Sequence, residues 1–329
     1  MALPHLNRTA KRVVKAALGV VVLAFLGRHV AQTWVNLQAR GGTLRIEPAW
    51  VALGGFLYLA GLCACGLYFG RVMNASETPV GLATSVRAYF LSHLGKYVPG
   101  KAMVVVMRVG LCTPHGARPA TAALATFYET LVMMAAGSLV AAAGFATAPG
   151  ALQAVPLILS LGLAAAFLVV VDPLVFPRLS ALIATPFKSV GPEARPRITR
   201  LLLVEGLLWT SLNWALLGLS QVAVIRGVCG EELRPGLWPL AAAAVALATV
   251  AGFAVAVLPG GLGIREGVII TTLVPAIGDD AAVVAALALR LTWVASEVAA
   301  AAALVPFRPT RTARGPAAAV PAPSPPEAS

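Results

Sequence analysis

Residues 152–171 read LQAVPLILSLGLAAAFLVVV, without a single charged side chain. A helix of that length rises about 30 Å, the thickness of a bilayer's hydrocarbon core. In lipid every backbone donor and acceptor needs a partner within the protein, so such a run is confined to a spanning helix. Comparable runs recur along the chain. The composition of the 329 residues agrees, at 59% hydrophobic and 12% charged, where soluble domains carry about 25% charge. Mean hydropathy is +0.84. The chain is expected to be an all-α polytopic membrane protein.

Six full spans are predicted at about residues 13–37, 50–69, 120–146, 152–171, 201–225 and 281–305. Two further stretches, 80–111 and 237–274, are apolar but broken by Pro-Gly pairs and charges. The expected organisation is a basic arm (1–12), a transmembrane domain (13–306) and a Pro/Ala-rich, disordered tail (307–329). The first apolar run is interrupted by Arg28 and has no small-x-small cleavage site, which predicts a retained span. Cys63, Cys65, Cys112 and Cys229 lack the spacing of a metal site or disulfide framework, and packing is their expected role. No metal or cofactor is expected.

The net charge of +12 does not indicate nucleic acid, because of where it lies. Basic residues cluster in the arm (Arg8, Lys11, Arg12, Lys15), a central loop (Arg178, Lys188, Arg195, Arg197, Arg200) and the tail (Arg308, Arg311, Arg314). Positive loops stay in the cytoplasm. The expectation is a multi-pass protein of the plasma membrane with both termini cytoplasmic. Charge does not distinguish re-entrant hairpins from paired spans at the two broken stretches. Arg87, His93 and Lys96 make 80–98 a poor lipid-facing span.

The two breaks resemble each other. LGKYVPGKAMVVVMR (94–108) and AVLPGGLGIRE (256–266) each pass from an apolar run through Pro-Gly into a renewed helix. Each follows two spans and precedes one, giving halves of about 13–147 and 151–306 with opposite insertion. That order is the mark of an inverted repeat, whose site lies where broken helices meet. Proline removes an amide donor and glycine permits tight turns, so Pro99, Gly100, Pro259, Gly260, Gly261 and Gly263 should break the helices. A restarting helix presents free amides and a partial positive charge to an anion. Lys96, Lys101, Arg108 and Arg265 add full charges, with Glu266 beside Arg265.

YVPGKAMVVVMR followed later by LPGGLGIREG resembles the lysylphosphatidylglycerol synthase transmembrane family over about residues 13–306. The resemblance implies movement of modified or polyprenyl-type lipids between leaflets. No soluble aminoacyltransferase segment follows Pro306, so a stand-alone member is expected, not a synthase.

Those residues form the candidate head-group site. Simple kinks and interfacial charges are the alternative readings, and Tyr97 is expected to be an interfacial anchor. Glu129, Glu205, Arg290 and Glu297 are costly in lipid and are candidate proton or pairing relays. Arg290 and Glu297 lie two helical turns apart and share a face. On the sequence, structural pairing is the favoured role for those two, a functional role for Glu129, and packing for Trp209, Asn213 and Trp214. The leading functional expectation is a flippase for an anionic phospholipid or lipid-linked head group. The alternatives are a non-catalytic partner of a separately encoded lipid-modifying enzyme and an intramembrane transferase, which lacks a catalytic motif here. Homo-oligomers are compatible with the sequence.

Overall fold

The computed structural model describes residues 47–97, 102–147, 154–184, 196–230, 236–254 and 263–307, together with Arg28, Val35 and Pro309. Among them are ten α-helices and no strand: α1 (Pro48–Asn74), α2 (Leu82–His93), α3 (Ala102–Cys112), α4 (Pro119–Thr147) and α5 (Ala154–Val171), then α6 (Val175–Ala184), α7 (Arg200–Cys229), α8 (Leu237–Ala254), α9 (Ile264–Ile277) and α10 (Asp279–Leu304). Six are long and apolar enough to cross a membrane: α1, α4, α5, α7, α8 and α10. The protein is an all-α polytopic membrane protein. The expected first span, 13–37, lies outside the described residues apart from Arg28 and Val35, both exposed.

Local chemistry sets the helix ends. Pro48 opens α1, where its missing amide costs nothing. Thr199 caps α7 by accepting from the Leu202 amide at 3.1 Å, and Gly230 ends it in the left-handed region at φ 68°. The short α6 occupies part of the expected central loop. It is held at its start by Asp172, whose carboxylate accepts from the Leu174 amide at 2.8 Å.

Bonds between loops define two ends of the bundle. At one end the Arg197 amide donates to the Ala75 carbonyl, the Arg118 amide to Thr78 and the Arg87 guanidinium to the carbonyls of Leu304 and Val305. At the other, the Glu47 amide donates to Gly227 and the Cys229 thiol to Ala281. The first end carries Arg71, Arg118, Arg178, Arg197 and Arg200; the second carries Glu47, Arg226, Asp279 and Asp280.

This frame resolves the two broken stretches. Helices α2 and α3 span only 12 and 11 residues, too short to cross. α2 leaves the basic end and α3 returns to it. α8 begins at the opposite end, where Pro239 abuts Gly144 of α4, and α9 returns to that end beside α10. α8 is long enough to span, yet the chain comes back on the side from which it entered. Each stretch is a hairpin with both outer ends on one side, and the two point toward each other. The turns at 98–101 and 255–262 lie outside the described residues.

α1 packs along α7, and α4 against α5, α7 and α8. Between apolar helices the specificity comes from small residues and polar bonds. Ser220 of α7 donates to the Gly54 carbonyl of α1 at 2.7 Å, and Trp214 donates to the Met133 carbonyl of α4 at 2.9 Å. Trp214 therefore has the expected packing role. The cysteines are free thiols, two buried and two half-buried.

Candidate functional site

The described residues next to the two hairpin turns come together halfway along α10. Lys96 and Tyr97 sit in the 3₁₀ turn that follows α2, and Arg265 and Glu266 in the first turn of α9. Between them α10 presents Arg290, Trp293 and Glu297. Counting at about 1.5 Å per residue, Trp293 lies about 21 Å from the start of α10 and about 17 Å from its end. Lys96, Tyr97, Arg265, Glu266, Arg290 and Trp293 line a shared pocket.

Two ion pairs border the pocket. Lys96 Nζ donates to Glu297 Oε1 at 2.5 Å and to the Tyr58 hydroxyl at 3.2 Å. The Tyr58 hydroxyl in turn donates to the same carboxylate oxygen. On the other side Arg290 pairs with Glu266, whose second oxygen accepts from the Gly263 amide at 2.8 Å. Gly263 adopts φ 83°, a conformation that disfavours other residues, and this lets Glu266 fold back over the helix start. One hairpin thus offers α10 a cation and the other an anion, and α10 answers each with the opposite sign.

Arg265 is different. Among the described residues it makes no hydrogen bond or ion pair; its guanidinium lies over the Trp293 ring at 4.5 Å. Trp293 is stacked on Tyr58, with centroids 4.3 Å apart and planes at 10°. Its indole N–H donates to Ser220 Oγ at 2.9 Å, which fixes the ring. With Lys96 and Arg290 neutralised by Glu297 and Glu266, the charge of Arg265 is left over. The pocket is positive by one cation.

Arg108 does not join this pocket. Its side chain, 2% exposed, donates to Glu129 Oε2 at 3.0 Å and to Ser92 Oγ at 3.0 Å, between the rings of Phe69 and Tyr89. The structure places Glu129 in a closed ion pair with Arg108, and Glu297 and Arg290 in ion pairs with Lys96 and Glu266 beside the pocket. Glu205 forms a two-pronged pair with Arg71 near the basic end, at 3.1 Å for each bond. Glu266 holds Arg290, not its neighbour Arg265. Tyr97 is buried beneath the Lys96 ammonium, 5.1 Å from its ring centroid, and is not an interfacial anchor. Pro99, Gly100, Lys101, Pro259, Gly260 and Gly261 lie outside the described residues.

Tyr58 and Trp293 were not singled out from sequence, and His93 only as a residue unsuited to face lipid. For Trp293 a signal existed, since positions 290, 293 and 297 recur at helical spacing on one face. Tyr58 and His93 carry no such pattern.

Protein-family models and curated proteins yield no match to this chain. What fold and site define together is an integral membrane protein with two opposed hairpins closing on a charged, aromatic-floored pocket at mid-depth.

Proposed function

We propose that this protein binds the anionic head group of a membrane lipid in the pocket between its hairpins and moves it from one leaflet to the other. The observation that carries the reading is Arg265, a guanidinium in the first turn of α9 with an aromatic ring beneath it and, among the described residues, no carboxylate bonded to it. Its fork of donors suits a phosphate, and the platform restricts its motion. A mid-depth location suits a ligand that crosses the membrane, and opposed hairpins are the arrangement from which alternating access is built. Irregular backbone and charge at that depth are tolerated where they line a cavity. The chain's resemblance to the lysylphosphatidylglycerol synthase transmembrane family points the same way. On this reading the basic end faces the cytoplasm and the membrane is the plasma membrane.

The test is lipid translocation in proteoliposomes of phosphatidylcholine, with a fluorescent acyl-labelled lipid quenched from outside by dithionite. Fluorescent phosphatidylglycerol should be translocated well above the rate of protein-free vesicles. Fluorescent glucosylceramide, which lacks a phosphate, should not. Equal acceleration of both lipids would remove the head-group site from the account.

A further inference from the structure

The Tyr58 hydroxyl touches more than Glu297: it lies 3.3 Å from His93 Nε2. Three ionisable side chains from three helices, Glu297 of α10, Tyr58 of α1 and His93 of α2, meet beside the pocket: the Tyr58 hydroxyl bonds to both others, and His93 Nε2 lies 3.8 Å from the same Glu297 Oε1. Glu297 keeps 2% of its side chain exposed, whereas His93 keeps 17%. Exposure thus rises from the carboxylate to the imidazole. Since Tyr58 donates to Glu297, its oxygen is free to accept from His93.

Given the head-group site proposed above, we infer that the pocket takes up one proton with each anion, making the proton a second substrate. Lys96 faces the pocket and is held by Glu297. An arriving phosphate that takes Lys96 draws off the cation bonded to the carboxylate and offsets the positive charge of Arg265 and Arg290 nearby. A carboxylate at 2% exposure is strongly disfavoured as an ion once its bonded cation is gone, so it is neutralised as the anion binds.

The transfer balances. The Tyr58 hydrogen moves to Glu297 Oε1, the Tyr58 oxygen takes the proton from His93 Nε2, and His93 gains a proton from water at Nδ1. Tyr58 and His93 return to their neutral forms, and the net change is one proton from water to Glu297. The other groups facing Glu297 are Lys96 and Tyr97 of the first hairpin, Arg265 of α9 and Arg290 on its own helix. The Arg108–Glu129 pair stands behind Tyr89, whose ring stacks on His93 at 5.8 Å. α7 contributes Ser220 to this region; its own ionisable residues, Arg200, Glu205 and Arg226, lie toward its ends.

The experiment is calorimetric titration of the purified full chain in neutral detergent with dihexanoylphosphatidylglycerol. It is run in two buffers of different ionisation enthalpy, which counts protons exchanged per ligand. The wild type should take up about one proton, and its affinity should fall up to about tenfold per pH unit as pH rises, as linkage requires for one proton. Glu297→Gln should bind more tightly at high pH, take up no proton and show no pH dependence. His93→Phe should keep the equilibrium proton count but slow the proton signal seen by a pH-indicator dye in stopped flow. Binding that requires Arg265 but exchanges no proton would overturn the coupling and leave the site. Uptake retained in Glu297→Gln, once that variant elutes as folded protein, would overturn it as well. No binding by the wild type would overturn both the site and the coupling.

Discussion

Two arginines on hairpins look alike in sequence and differ completely in setting. Arg108 is enclosed with Glu129, Ser92 and two aromatic rings, and Arg265 rests on one ring with its donors open to the pocket. Removing one partner of a buried pair leaves an uncompensated charge and costs about 3–5 kcal/mol, while replacing both by apolar residues is often neutral. Glu129→Ala should therefore lower stability by about that amount in a thermal unfolding assay. The double variant Arg108→Met, Glu129→Leu should recover most of the loss. If Glu129→Ala folds normally but alters translocation, Glu129 belongs to the transport machinery after all. The sequence could not separate the two roles because they depend on which face of a short helix each side chain takes. At one turn of uncertainty in where a hairpin bends, that face is undetermined.

Among elements, α10 is the one on which the site depends, and its role was partly legible. The seven-residue interval between Arg290 and Glu297 predicts a shared face, and the structure confirms it by setting Trp293 between them. The partners were not legible, because Lys96 and Glu266 arrive from segments distant in sequence. Trp293 is steadied through α7, where Ser220 links it to Gly54 of α1. α7 itself approaches α8 closely at Gly218: a Cβ there would lie 2.5 Å from the Ala242 Cβ and 2.8 Å from its Cα. Backbone cannot yield as a side chain does. Gly218→Ala should cost about 1–3 kcal/mol of stability, read as a lowered unfolding temperature in detergent. An unchanged unfolding temperature would mean that α7 and α8 slide freely past each other.

For the whole molecule, the spans could be read because lipid imposes length and apolarity directly on sequence. α1, α4, α5, α7 and α10 fall within a few residues of expectation. Whether each broken stretch re-enters or crosses twice could not be read from charge, since both leave the loops on the same sides. The lengths of α2 and α3 and the loop bonds at each end decide it. They predict that single cysteines at Asn74 and Asp280, with the four native cysteines replaced by alanine, react with impermeant maleimide from opposite sides of the membrane. Labelling from one side would break the frame on which the opposed hairpins rest.

The central claim is that Arg265 receives an anionic head group at the meeting point of the hairpins. Its most direct measurement is the dithionite-resolved translocation of fluorescent phosphatidylglycerol by wild type, Arg265→Lys and Arg265→Ala, normalised to folded protein. Lysine keeps the charge but loses the two-pronged geometry and the flat contact with Trp293. A loss of about 1.4 kcal/mol in charge-assisted bonding corresponds to about a tenfold slower rate. Arg265→Lys should therefore run at about a tenth of the wild-type rate, and Arg265→Ala close to protein-free vesicles. Arg265→Lys at the full wild-type rate would contradict the claim.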